Sequence, residues 1–350
     1  MTTHQAPLEF MGVPGSPYTR KMLALLRFRR IPYRLLPGSR HLLKPDPGRY
    51  KSRPDPKVAL LPTFYLTDES GQETAVCDST PLIREFESSF QGRSVIPTDP
   101  ALAFIDYLLE DYADEWLTKA MFHYRWSYPA DIEKAGQLLP RWTNISASDA
   151  DIEQRSRAIS ERQISRLRYV GSNDITRKTI EDSFKRFIDL LDKHLQCLPF
   201  LLGKRPAACD FAIYGQLTCM ALFDPTPQQI ILQRAPRVYA WTEVLEDLSG
   251  YETMDDDWLD TEQCPPSLVA ILGELGKLYA PYLLANSEAV SSGEERLLTQ
   301  LDGRAWEQNP FPYQDKCLRW IKKNYNELPE EANDRVNRLI SGTGIEQLLD

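Results

Sequence analysis

Residues 8–21 read LEFMGVPGSPYTRK, and this stretch decides the fold. Leu8 to Val13 alternate in the manner of a half-buried strand, and Pro14-Gly15 end it. Ser16-Pro17 then marks a helix start. The serine caps the first turn, and proline fits there because its missing N–H is not needed. Lys21 to Leu26 continue with helical spacing and no breaker, and Ile31 to Leu36 read as a second short strand. Strand, helix and strand so close together imply a parallel pair joined by a right-handed crossover.

Downstream, residues 37–57 are rich in Pro, Gly, Lys and Arg, and read as irregular. Pro62 to Leu66 and Glu73 to Cys77 flank Asp68-Glu69-Ser70-Gly71, which predicts a β-hairpin. Asp78-Ser79-Thr80-Pro81 opens another helix over Leu82–Phe90, and 91–100 reads as a linker. Helical patterns then dominate. They run over 101–126 with interleaved aromatic residues, then over 148–170, 176–196, 207–223 and 236–248. Such a run predicts a helical bundle. The acidic segment 252–263 leaves it, and helical patterns return at 267–284 and 313–326 around a strand or loop at 297–306. The expected class is α+β, with units at 1–91, 101–250 and a helical extension at 256–350 packed on the bundle.

A chain of 350 residues exceeds one ordinary core. Its net charge of −9 gives no basic footprint for nucleic acid, and none is expected as a partner. No uninterrupted run of about 18 apolar residues is present, so no membrane association is expected. Residues 1–7 are polar and lack a signal core. Six scattered cysteines without a CxxC pair suggest reduced thiols in the cytoplasm. His4, His41, His123 and His194 lack metal-ligand spacing, so no metal is expected.

Three short patterns stand in a telling order: Ser16 to Lys21 after the first strand, Leu61-Pro62-Thr63 before the third, and Asp78-Ser79-Thr80 at a helix start. A fourth is Phe200-Leu201-Leu202-Gly203 followed by Asp210 to Leu217. Together they resemble the glutathione S-transferase superfamily, in its bacterial type with serine at the thiol-activating position, over roughly residues 8–245. The resemblance implies a thioredoxin-like glutathione-binding domain followed by an all-α domain. The sequence departs from the pattern at Ala207, where a Ser or Thr cap is usual. It also departs in an insertion over 130–175 and in the extension.

The resemblance carries specific expectations. Ser16 would donate to the glutathione sulfur, lowering its thiol pKa with help from the helix dipole, and Tyr18 is the next candidate. Ser16 and Thr19 replace the cysteines of a redox motif, which argues against a dithiol reductase. Leu61 and a cis Pro62 would pair with the cysteinyl backbone. Asp78, Ser79 and Thr80 would receive the γ-glutamyl carboxylate at a helix N-terminus, with Lys57 neutralising the glycyl carboxylate. Tyr112, Trp116, His123 and Arg125 would line a pocket for a small apolar or aromatic electrophile, although aromatic residues at helical spacing equally suit a core. The implied activity is conjugation, elimination or isomerisation with glutathione as co-substrate, in a homodimer. The alternative is a non-catalytic scaffold or interaction module on the same fold.

Overall fold

The computed structural model describes residue 4 and residues 6–37, 52–68 and 70–349. Most of the segment expected to be irregular, 38–51, lies outside the described residues. Strand β1 (Leu8–Gly12) buries alternate side chains, and helix α1 (Pro17–Phe28) returns the chain to β2 (Tyr33–Pro37), parallel to β1. Strand β3 (Thr63–Thr67) lies antiparallel to β1, and β4 (Glu73–Val76) antiparallel to β3, giving the sheet order β2-β1-β3-β4. Helix α2 (Ser79–Ser89) follows directly. This is the thioredoxin-like half, and an all-helical half comes next.

The long aromatic-rich segment is one continuous helical path with a π turn in it. It comprises α3 (Pro100–Tyr112), the π turn Ala113–Leu117 and α4 (Thr118–Ser127). The insertion folds as a helical pair, α5 (Pro129–Arg141) and α6 (Asp149–Ile164), ending in a 3-10 turn at Leu167–Val170. Then come α7 (Arg177–His194) and the fully interior α8 (Ala208–Leu222). Helices α9 (Pro225–Arg234) and α10 (Pro236–Val244) complete this half.

Gly215 on α8 decides how closely the two halves approach. A Cβ there would fall 2.6 Å from the carbonyl oxygen of Pro17, so only glycine lets the start of α1 rest on α8. Ala207 cannot cap α8, because a methyl group accepts nothing. Asp210 does the remaining half of the work: its carboxylate accepts from the backbone N–H of Ala207 at 2.9 Å and of Leu201 at 3.0 Å.

The extension comprises α11 (Pro266–Glu274), a π turn (Leu275–Tyr279), α12 (Ala280–Ser291), a hairpin of β5 (Leu297–Leu301) and β6 (Arg304–Gln308), α13 (Pro312–Asn326) and α14 (Glu330–Ile340). Trp306 packs 5.5 Å from Trp116, ring centre to ring centre, and Tyr282 lies tilted against Trp116 and edge-on to Trp306. These rings belong to the same continuous core as Leu25, Phe64 and Phe211. By length and composition the path Pro266–Ser291, 26 residues, could cross a membrane. Gly273, Glu274 and Lys277 break the run of apolar residues that the sequence criterion required. In the fold, 61% of its most apolar window is buried against the rest of the protein.

Candidate functional site

Ser16 has extended backbone angles, and its Oγ accepts from the Thr19 N–H at 3.2 Å, the expected cap. The same hydroxyl donates to the carbonyl oxygen of Leu61 at 3.2 Å. The Leu61–Pro62 peptide is cis. Two patterns 45 residues apart thus meet at one edge.

The start of α2 lies behind that edge. Asp78 makes no cap with its side chain, and its Oδ2 accepts from the Tyr313 hydroxyl at 3.0 Å. Ser79 Oγ accepts from Lys21 Nζ at 3.2 Å, and Thr80 Oγ1 donates to Glu110 at 3.2 Å. Lys21 is 1% exposed and also binds Glu110 at 2.7 Å and Asp114 at 2.6 Å. Burial alone would push its ammonium pKa down; the two carboxylates overcome this and raise it. Arg84 supplies a second cation to Glu110 at 2.7 Å. The Lys21 ammonium therefore donates to the hydroxyl at a helix N-terminus while Glu110 and Asp114 balance its charge; what favours an anion there is the helix N-terminus itself. In the sequence Lys21 stands out only as part of the motif Ser16 to Lys21. Its burial depends on α3, whose placement no local pattern records.

A cavity of about 1110 Å³ opens beside Ser16. Val13, Ser16, Tyr18 and Leu61 form one side, and Met121, Phe122, Arg125 and Trp126 of α4 another. Trp142 and the inner face of α6 close it, with Phe311 from the extension at the rim. The structure therefore brings Ser16, Tyr18, Leu61 and Arg125 to one space. Asp78, Ser79 and Thr80 do not line it, and exposed Lys57 does not either.

Tyr18 touches the cavity, but its hydroxyl donates to the Asp114 carbonyl at 2.7 Å, and burial pushes its pKa well up. Its one proton is already committed. Three of the four expected pocket residues need correction. Tyr112 is buried against Phe187 and Tyr279, and Trp116 is buried with its indole N–H on Ser183 at 3.2 Å. His123 is buried between Ser172 at 2.7 Å and Glu181 at 3.3 Å. All three face inward, because this stretch packs against α7 and the extension. Arg125 alone of the four reaches the cavity. Its Nε contacts both Asp224 oxygens, at 2.9 and 3.0 Å, and its Nη1 holds the Gly15 carbonyl at 2.9 Å, bracing the loop before Ser16. The insertion's contribution was missed in the sequence, although Arg155, Ile159, Arg162 and Arg166 recur at the spacing of one helix face. Among the described residues no group of three or more His, Cys, Asp or Glu is arranged to hold a metal ion.

Residues 10–94 match the family described as glutathione S-transferase, N-terminal domain. No curated protein matches the chain. Among solved structures, a Tau class glutathione S-transferase from mango, Mangifera indica, is 18% identical, with 73% of this chain and 94% of that one covered and a TM-score of 0.40. A glutathione transferase family member from Pseudomonas fluorescens, crystallised with two glutathiones bound, is 13% identical over 68% of this chain and 87% of its own, with a TM-score of 0.38. FzlA from C. crescentus is 13% identical over 89% and 98%, with a TM-score of 0.40.

Proposed function

We propose that this protein binds glutathione across the Ser16–Leu61 edge and transfers its sulfur to a small electrophile held in the adjoining cavity. The observation that carries this reading is the junction of three features: a hydroxyl at a helix N-terminus, the backbone edge at Leu61, and an open space with an apolar wall. Glutathione would extend along Leu61, with its γ-glutamyl end toward Ser79 at the N-terminus of α2. Its sulfur would lie near Ser16. For the hydroxyl to donate to a thiolate it must exchange the Leu61 carbonyl for the sulfur, since a serine has one proton to give. Thiolate formation is favoured by that bond and by the α1 dipole, and a neighbouring cavity supplies proximity. A cytoplasmic homodimer without a metal belongs to the same reading.

The test is calorimetric titration with glutathione, followed by a conjugation assay with a generic aryl halide. Saturable binding together with turnover supports the proposal. Absence of binding overturns it and favours the scaffold reading. That second reading draws on Tyr313, through which the extension reaches the helix start where the ligand's carboxylate would bind.

A further inference from the structure

The cavity is more basic than the chain that builds it. The protein carries 50 acidic and 41 basic residues, yet Arg125, Arg155, Arg162, Arg166 and Arg168 line this one space, with Asp55 the acidic lining residue among the described residues. Arg155 and Arg162 share the cavity-facing stripe of α6, seven residues apart with Ile159 between them, and Arg166 follows in the turn just beyond the end of the helix. Among the described residues none of these three, nor Arg168, has a carboxylate partner. Arg168 rests on the Tyr169 ring and hydroxyl. Other arginines do have such partners: Arg53 binds Glu9 and Glu73, and Arg186 binds Glu274. On α6 itself Arg157, which does not line the cavity, pairs with Glu153. Arg125, 3% exposed, leaves its buried Nη2 without a hydrogen-bond partner. Unpaired guanidiniums gathered around one space repel each other, and an oxyanion bound among them relieves that repulsion while accepting forked hydrogen bonds. Phe122, Trp126 and Trp142, which line the same cavity, suit a flat apolar body.

We infer that the electrophile is an oxyanion-bearing aromatic molecule, its ring on the tryptophans and its carboxylate or similar group among the arginines of α6 and the turn that follows it. This rests on the transferase reading and sharpens it. In the reaction, the glutathione thiolate attacks the ring carbon bearing a halide. A sulfur–carbon bond forms, the carbon–halogen bond breaks, halide leaves with the bonding pair, and the thiol proton passes to water.

The experiment compares a chlorodinitrobenzoate with its uncharged methyl ester. Binding is followed first without glutathione, by quenching of tryptophan fluorescence, and then by turnover with glutathione present. The acid is expected to bind about tenfold or more tighter than the ester, the worth of one charge-assisted hydrogen bond. The double variant Arg162→Gln, Arg166→Gln should abolish that preference, whereas Arg157→Gln on α6 should keep it. Equal binding of acid and ester overturns the inference. So does a double variant that weakens glutathione but leaves the acid-over-ester ratio intact, because the arginines would then serve the tripeptide. Turnover of neither compound, with the binding preference present, removes the transferase reading and leaves the anion site standing.

Discussion

The Tyr313 hydroxyl donates to Oδ2 of Asp78 at 3.0 Å across 235 residues of sequence, so the extension is fastened to the helix start that the proposed ligand uses. Asp78 is partly buried, and burial raises its carboxyl pKa while Tyr313 holds it down. Tyr313→Phe should lower stability by about 1 kcal/mol through loss of that bond. Urea denaturation checks it, and an unchanged midpoint would mean that the bond contributes nothing to holding the extension.

Ser16→Ala separates cap from catalyst. Loss of the Thr19 contact should cost about 1 kcal/mol, read from the thermal midpoint. On the transferase reading kcat should fall while glutathione KM changes little. Undiminished kcat would reassign thiol activation to another group.

Lys21→Met should be severe, because it strands Asp114 in the interior and leaves Glu110 with Arg84 alone. Breaking such a buried pair costs about 3–5 kcal/mol. Adding Asp114→Asn should restore part of the loss, since Glu110 keeps Arg84. If the double variant is no more stable than the single one, Lys21 acts on its surroundings by some route other than charge.

The extension should prove inseparable from the bundle. Trp306→Ala removes a 1% exposed ring from the stack on Trp116 and should cost about 3–5 kcal/mol. A loss below about 1 kcal/mol, the level of a surface change, would contradict a shared core.

Burial pushes the Asp111 carboxyl up to about 7, against the Tyr279 hydroxyl bond that lowers it. The folded state therefore holds a proton that the unfolded chain releases near 3.8. The stability linked to this group is complete below that value and fades as pH rises through about 7. Asp111→Asn should thus become more favourable relative to the parent protein as pH climbs from about 5 to about 8. Parallel stability curves for the two proteins would refute the shift.

Local chemistry made much of this fold legible. Ser16-Pro17 can only begin a helix well, and the alternation at Leu8–Gly12 can only bury one face of a strand. Leu61-Pro62 and Asp78-Ser79 were likewise readable, because caps and turns depend on neighbours in sequence. What the sequence could not apportion was the aromatic run of α3 and α4. Tyr112, Trp116, His123 and Arg125 look equally fit for a pocket, and only the packing of α7 and of the docked extension sends three of them inward. Helices α5, α9 and α14 likewise lie outside the helical patterns read from the sequence.

The residues themselves determined a thioredoxin-like half, a helical half and two helix starts suited to an anion, since each follows from backbone propensity over a few positions. Tertiary structure alone decided that Lys21 lies beneath Ser79, that Tyr313 reaches Asp78, and that the arginines of α6 face the cavity beside Ser16. Those relations join residues dozens to hundreds of positions apart, and only packing of the whole chain brings them within reach.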